Sequence, residues 1–138
     1  MKALIILLFF VYTSFAISSA DAAFVLGFHE EYPTALTQAK KEKKLLMLVI
    51  IQDPCPYSER LVYNTLSDPK VVEALKGIVS VIVDRRALFP PQFKAEFVPM
   101  TFIIDPDNEE GIGERMGYIS AEEFLVDIKE AYLLYKKK

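Results

Sequence analysis

The stretch "LLMLVIIQDPCPYSERL", residues 45–61, runs seven apolar residues in succession toward the one cysteine of the chain, which stands between two prolines. An unbroken apolar run of strand length predicts a strand buried on both faces, because a half-exposed strand would alternate. Gln52 and Asp53 end it. Pro54 then turns the chain out of the strand, and Pro56 suits the first position of a helix, where the N–H it lacks has no partner to lose. Over 56–66, "PYSERLVYNTL" gathers Leu61, Val62, Thr65 and Leu66 on one helical side.

Cys55 thus falls where a buried strand gives way to a helix. The first N–H groups of a helix have no internal acceptors, and they carry the positive end of its dipole. Thiols held in such places commonly shift from about 8.5 to between roughly 3.5 and 7.5, and become nucleophiles near neutral pH. Ser58, three positions on, shares a helix face with Cys55, so its hydroxyl is expected to donate a hydrogen bond to the sulfur. Asp53 works against this, since a neighbouring negative charge disfavours a thiolate.

Outward from this junction, "YPTALTQAKKEKK" (32–44) predicts a helix with Pro33 in its first turn and Ala35, Leu36 and Ala39 on its apolar side. "SDPKVVEALKG" (67–77) predicts a second short helix, capped by Ser67 or Asp68 and ended by Gly77. "IVSVIVD" (78–84) is β-branched enough for another buried strand. "PPQFKAEF" (90–97) makes a short helix or turn, and "VPMTFIID" (98–105) a third strand with Pro99 at its start. The turn residues of "DPDNEEG" (105–111) return the chain into "GERMGYI" (113–119) as an antiparallel edge strand. A closing helix begins at Ser120, where a capping box with Glu123 precedes an apolar face of Phe124, Ile128, Ala131 and Tyr135. Strands and helices in this order predict a layered α/β domain.

The N-terminus has the pattern of a secretory signal peptide: Met1 and Lys2, an apolar run from Ala3 to Phe15, then small residues at Ser18, Ser19, Ala20, Ala22 and Ala23. Cleavage after Ala20, with Ser18 at −3, and cleavage after Ala22, with Ala20 at −3, both satisfy the small-x-small rule, and the first is preferred. An uncleaved membrane anchor is the alternative, but the run falls short of the roughly 20 residues that cross a bilayer. Residues 1–20 are then the signal peptide and 21–138 a single domain of about 118 residues, long enough to bury a core. Their removal moves the formal net charge from −3 to −4, because Lys2 is the only charged residue lost. The expected location is periplasmic, or secreted. One cysteine cannot close an internal disulfide, so this thiol sits inert in the core, pairs with another chain, or reacts.

Other function classes lack support. Basic residues are dispersed except for "KKEKK" (40–44) and "KKK" (136–138), which read as solvated helix ends, so no nucleic-acid partner is expected. His29 has no cysteine or carboxylate at metal-ligand spacing and reads as a surface or capping residue, with no metal implied. A calcium loop starting at Asp105 would need Gly and Glu where Glu110 and Met116 stand. Gly111-Ile112-Gly113 is too short to cradle a phosphate. Arg85 and Arg86, leaving a strand, read as solvated charges.

Cys55-Pro56-Tyr57-Ser58 after an apolar strand, together with "FVPMTFIIDPDNEE" (97–110) and "RMGYISAEEFL" (115–125), resembles the thioredoxin fold over about residues 30–135. The likeness is to small exported thioredoxin-like proteins related to the thioredoxins of sulfur-oxidising systems. It implies a thioredoxin-like three-layer α/β/α domain with a mixed central sheet and no cofactor. It also implies Cys55 as nucleophile, Ser58 in the place of the second motif cysteine, and Val98-Pro99 as the cis-proline pair beside the motif. Pro56, Tyr57, Val98 and Pro99 would then shape a client site.

Two departures narrow the implied activity. Ser58 replaces the resolving cysteine, and Val49 stands where the family has a buried acid, so a dithiol electron carrier is not expected. What remains is a monothiol oxidoreductase whose Cys55 forms mixed disulfides with client proteins or with small thiols such as glutathione. The alternative is a non-catalytic chaperone or adaptor that holds an extended peptide against Val98 by backbone pairing.

Overall fold

The computed structural model describes residues 16–137, and the apolar run Ala3–Phe15 of the expected signal peptide lies outside them. Leu45–Ile51 forms strand β1, and all seven of its residues are buried. Leu45, Met47, Val49 and Ile51 enter one core cluster, while Leu46, Leu48 and Ile50 enter a second on the opposite face. That explains the unbroken apolar run: both faces are covered, and each such side chain removed from water stabilises the fold by roughly 1.5–3 kcal/mol.

Strand β2 (Ile78–Asp84) lies parallel to β1. On the other side β3 (Met100–Asp105) runs antiparallel to β1, and β4 (Glu110–Met116) antiparallel to β3, so the mixed sheet has the order β2-β1-β3-β4. Helix α1 (Ser19–Leu26) packs Ala22 and Ala23 into the first cluster. Helix α2 (Tyr32–Glu42) covers the second cluster with Tyr32, Ala35 and Ala39. Helix α3 (Pro56–Arg60) continues as a π-helical turn over Leu61–Leu66 and is followed by α4 (Pro69–Ala74) and, at the C-terminus, α5 (Ala121–Lys136). These cover the first cluster through Leu61, Val62, Leu66, Val71, Phe124, Ile128 and Ala131. Helices thus cover both faces of a mixed four-stranded sheet, the three-layer α/β/α arrangement that the resemblance implies.

Element boundaries shift from the sequence expectation for local reasons. Helix α2 stops at Glu42 because Lys43 takes a left-handed φ of 54° and the backbone closes on Ala39 and Lys40. The segment 67–77 is α-helical only over Pro69–Ala74, with Asp68 as cap, and tightens to a 3-10 turn at Leu75–Gly77. Strand β3 starts at Met100 rather than Val98, since Pro99 has no N–H for the ladder. Strand β4 begins three residues earlier than expected and ends at Met116, where Gly117 turns the chain with a φ of 81°. The capping box of α5 is formed as read.

No element was expected between Ser18 and Glu31, and α1 occupies that interval. Ser18 caps it by accepting from the Asp21 N–H, and Gly27 closes it with a φ of 68°. Ile17, Ala22 and Ala23 are all buried. Beyond the helix, His29 makes a single parallel bridge to β2, donating its N–H to Ser80 and accepting from Ile82. The residue read as a surface or capping histidine therefore works through its backbone, at a sheet edge. Both expected cleavage points, after Ala20 and after Ala22, fall inside α1. Small residues suit a signal cleavage region, but they equally suit close packing of a helix on a sheet. Among the described residues no helix is long and apolar enough to cross a membrane.

Candidate functional site

The site is built where β1 ends. Gln52, Asp53 and Pro54 lead from Ile51 to Cys55, whose extended backbone (φ −155°, ψ 109°) makes it the N-cap of α3. Its sulfur accepts a hydrogen bond from the Ser58 N–H at 3.4 Å. Across the site the thiol donates toward the Val98 carbonyl, with Sγ 3.9 Å from that oxygen. Cys55 is half-buried. The sulfur is thus held from two sides while a reagent can still reach it.

Ser58 contributes differently from the sequence expectation. The donor to sulfur is its backbone amide, whereas its side chain is wholly buried and the hydroxyl has no partner among the described residues. The third residue of a helix presents its N–H to the cap side chain, so the amide takes the contact assigned to the hydroxyl. An orphaned buried hydroxyl costs on the order of 1–3 kcal/mol.

Val98 and Pro99 form the opposite wall. Val98 is half-buried and Pro99 buried, and the bond between them is cis, as is Asp53–Pro54. The Pro99 carbonyl accepts from the Gly117 N–H at 2.8 Å, which pins the loop to the end of β4. Arg85 binds the other side of this loop, a role not legible in the sequence. Its guanidinium donates to Gln52 Oε1 at 3.1 Å and to the carbonyls of Ala95 and Glu96 at 3.3 and 3.5 Å. It therefore ties the exit of β1, three residues before Cys55, to the segment that leads into Val98. Arg86 instead pairs with Asp84 at 2.9 Å, and that hydrogen bond holds the Asp84 carboxyl below its ordinary range.

Asp53, two residues before the thiol, is exposed, and large apolar side chains are exposed on the segments around it. Tyr57, Phe97 and Met116 are 59%, 65% and 60% exposed, and they belong to the three chain segments that meet here. Pro56 is exposed beside them. Val49 is fully buried, so the resemblance's acid position is filled by core packing. Among the described residues no group of three His, Cys, Asp or Glu side chains is placed to hold a metal ion. In the Asp105–Glu110 turn the Asp105 and Asn108 side chains accept from the backbone N–H groups of Asp107 and Glu110. The chemistry on offer is that of one half-buried sulfur between a backbone amide and a backbone carbonyl.

The family model for the thioredoxin-like domain matches residues 32–131. A thioredoxin from Thermus thermophilus superposes with a TM-score of 0.67 at 23% identity, over 77% of this chain and 87% of that one. The C-terminal domain of Neisseria meningitidis DsbD in the oxidised form gives 0.61 at 17% identity, over 75% and 98%. The periplasmic thioredoxin SoxS from Paracoccus pantotrophus, in the reduced form, gives 0.53 at 16% identity, over 64% and 95%. A search of curated protein sequences finds no match. At these identities the likeness to solved structures is one of fold.

Proposed function

The chain belongs to the thioredoxin-like domain family, and on that premise we propose that it is an exported monothiol thiol–disulfide oxidoreductase acting through Cys55. The observation that carries this reading is the half-buried sulfur held between the Ser58 N–H and the Val98 carbonyl. The Cys55 thiolate attacks one sulfur of a disulfide R–S–S–R, forming Cys55–S–S–R and expelling R–S⁻. With no second cysteine in the chain, a second external thiolate must attack the R sulfur of that mixed disulfide, returning Cys55 as thiolate. Pro56, Tyr57 and Val98 form the client-facing surface in this scheme, and the buried Pro99 shapes it from behind. The N-terminal apolar run directs the chain to the periplasm or the exterior.

Reaction with oxidised glutathione tests it: intact mass is expected to show a single adduct on Cys55, removed by added thiol. Alkylation at pH 7 is expected to outpace that of free cysteine. No adduct, together with alkylation no faster than a free thiol, would remove the basis of the enzyme reading. A second reading is favoured by the exposure of Tyr57, Phe97 and Met116: a module that holds an extended apolar peptide without redox turnover. Peptide binding unchanged in Cys55→Ser, with no adduct in the wild type, would select it.

A further inference from the structure

We infer that the leader is removed after Ala16, so that the mature protein begins at Ile17; this rests on the export reading proposed above. Ser14 and Ala16 satisfy the small-x-small rule in "TSFAIS", residues 13–18, and they stand directly behind the apolar run. Ala3–Val11 then serves as the apolar region and Tyr12–Ala16 as the cleavage region, an apolar length within the usual range of about 7–15 residues. Four positions in the sequence therefore fit the protease, after Ala16, Ser18, Ala20 and Ala22, and the fold separates them by what each leaves behind; a cut after Ser18 already removes the buried Ile17 and the Ser18 cap.

From Ser18 to His29 the chain is one continuous folded unit. The Ser18 Oγ accepts from the Asp21 N–H at 3.1 Å and donates to the Asp21 carboxylate at 2.8 Å, while the Ser18 carbonyl accepts from the Ala22 N–H at 2.9 Å. Phe28 then bonds back to Ala23 at 2.9 Å, and His29 enters the edge of β2. A cut after Ala20 removes Ile17, which is 4% exposed in the core, together with the Ser18 cap and the first residues of the helix. A cut after Ala22 goes further, separating Ala22 from Ala23 although both are packed in the same core cluster. A cut after Ala16 sacrifices none of these contacts. With that cut Ile17 stays in the core and the Ser18 cap stays intact.

Export of the full chain, followed by intact mass and N-terminal sequencing of the processed protein, tests the assignment. A start at Ile17 is expected. A start at Ser19, Asp21 or Ala23 overturns it while leaving export intact, and an exported chain still carrying residues 1–16 overturns it and the cleaved-leader reading together. Ala16→Gln, which bars the −1 position, supplies a second test. Its product is expected to start at Asp21 or Ala23, or to retain the leader. A product starting at Asp21 should melt roughly 5 °C or more below the wild type, from the lost cap and core contact. The same N-terminus from wild type and variant overturns the assignment.

Discussion

Helices α3 and α5 both begin on a side-chain N-cap, and they use it to opposite ends. At α5 the cap is closed: the Ser120 Oγ accepts from the Glu123 N–H at 3.3 Å, and the Glu123 carboxylate accepts from the Ser120 N–H at 3.2 Å. At α3 the acceptor is the Cys55 sulfur, at 3.4 Å, and the residue at the reciprocating position is Ser58, whose buried hydroxyl has no partner among the described residues. Oxygen is the better acceptor, so the serine cap contributes about 1 kcal/mol that a cysteine cap largely forgoes. What α3 keeps instead is a half-buried thiol. Stability is secured at one helix start, and reactivity is left open at the other.

Cys55→Ser has the largest expected effect, since it turns α3 into a helix start like α5. Glutathione adduct formation and any disulfide reduction should vanish completely, while the thermal midpoint stays level or rises. A fall of more than about 5 °C would show the sulfur to be a packing element rather than an exposed reagent. Ser58→Cys comes next. Cap and third helical residue lie within the roughly 4.4–6.8 Å between Cα atoms that a disulfide spans, so mild oxidation should take the free-thiol count from two to none. A folded variant that keeps both thiols after oxidation would mean the α3 start is not built as described.

Ser120→Ala sharpens the contrast from the other side. Loss of the closed cap should cost about 1 kcal/mol, read as a lower denaturation midpoint, with the Cys55 alkylation rate unchanged. Ser58→Ala is expected to have the smallest effect. The amide that reaches the sulfur is retained and only an orphaned hydroxyl is lost, so stability should hold or rise by up to about 1 kcal/mol, and alkylation should stay within about twofold. A several-fold change in alkylation would instead return the hydroxyl to the sulfur, as the sequence expectation had it.

The elements legible in advance are those whose signals lie within a few neighbouring residues. Leu45–Ile51 and Ile78–Asp84 announce buried strands by composition alone, and their bounds coincide with those observed. Ser120 and Glu123 specify their capping box across a single turn, and Cys55 was placed at a helix start by Pro56 and the apolar side that follows. Residues that act across the fold were not legible. Arg85 looks like any charge leaving a strand until the loop at Ala95 and Glu96 comes within its reach. Ala22 and Ala23 looked like small residues of a cleavage region until the core cluster that holds Ile78 and Ile82 took them in.

By itself, then, the sequence determined the buried strands, the helix starts other than that of α1 and the position of the single thiol, because periodicity and capping depend on near neighbours whose geometry one turn or one pleat sets. Only the tertiary structure decided that the Ser58 amide rather than its hydroxyl meets the sulfur, that the Val98 carbonyl faces it from 43 residues away, and that the domain reaches back to Ile17. Those outcomes depend on which surfaces close over one another, and an alanine or an arginine carries no mark of its partner until packing supplies it.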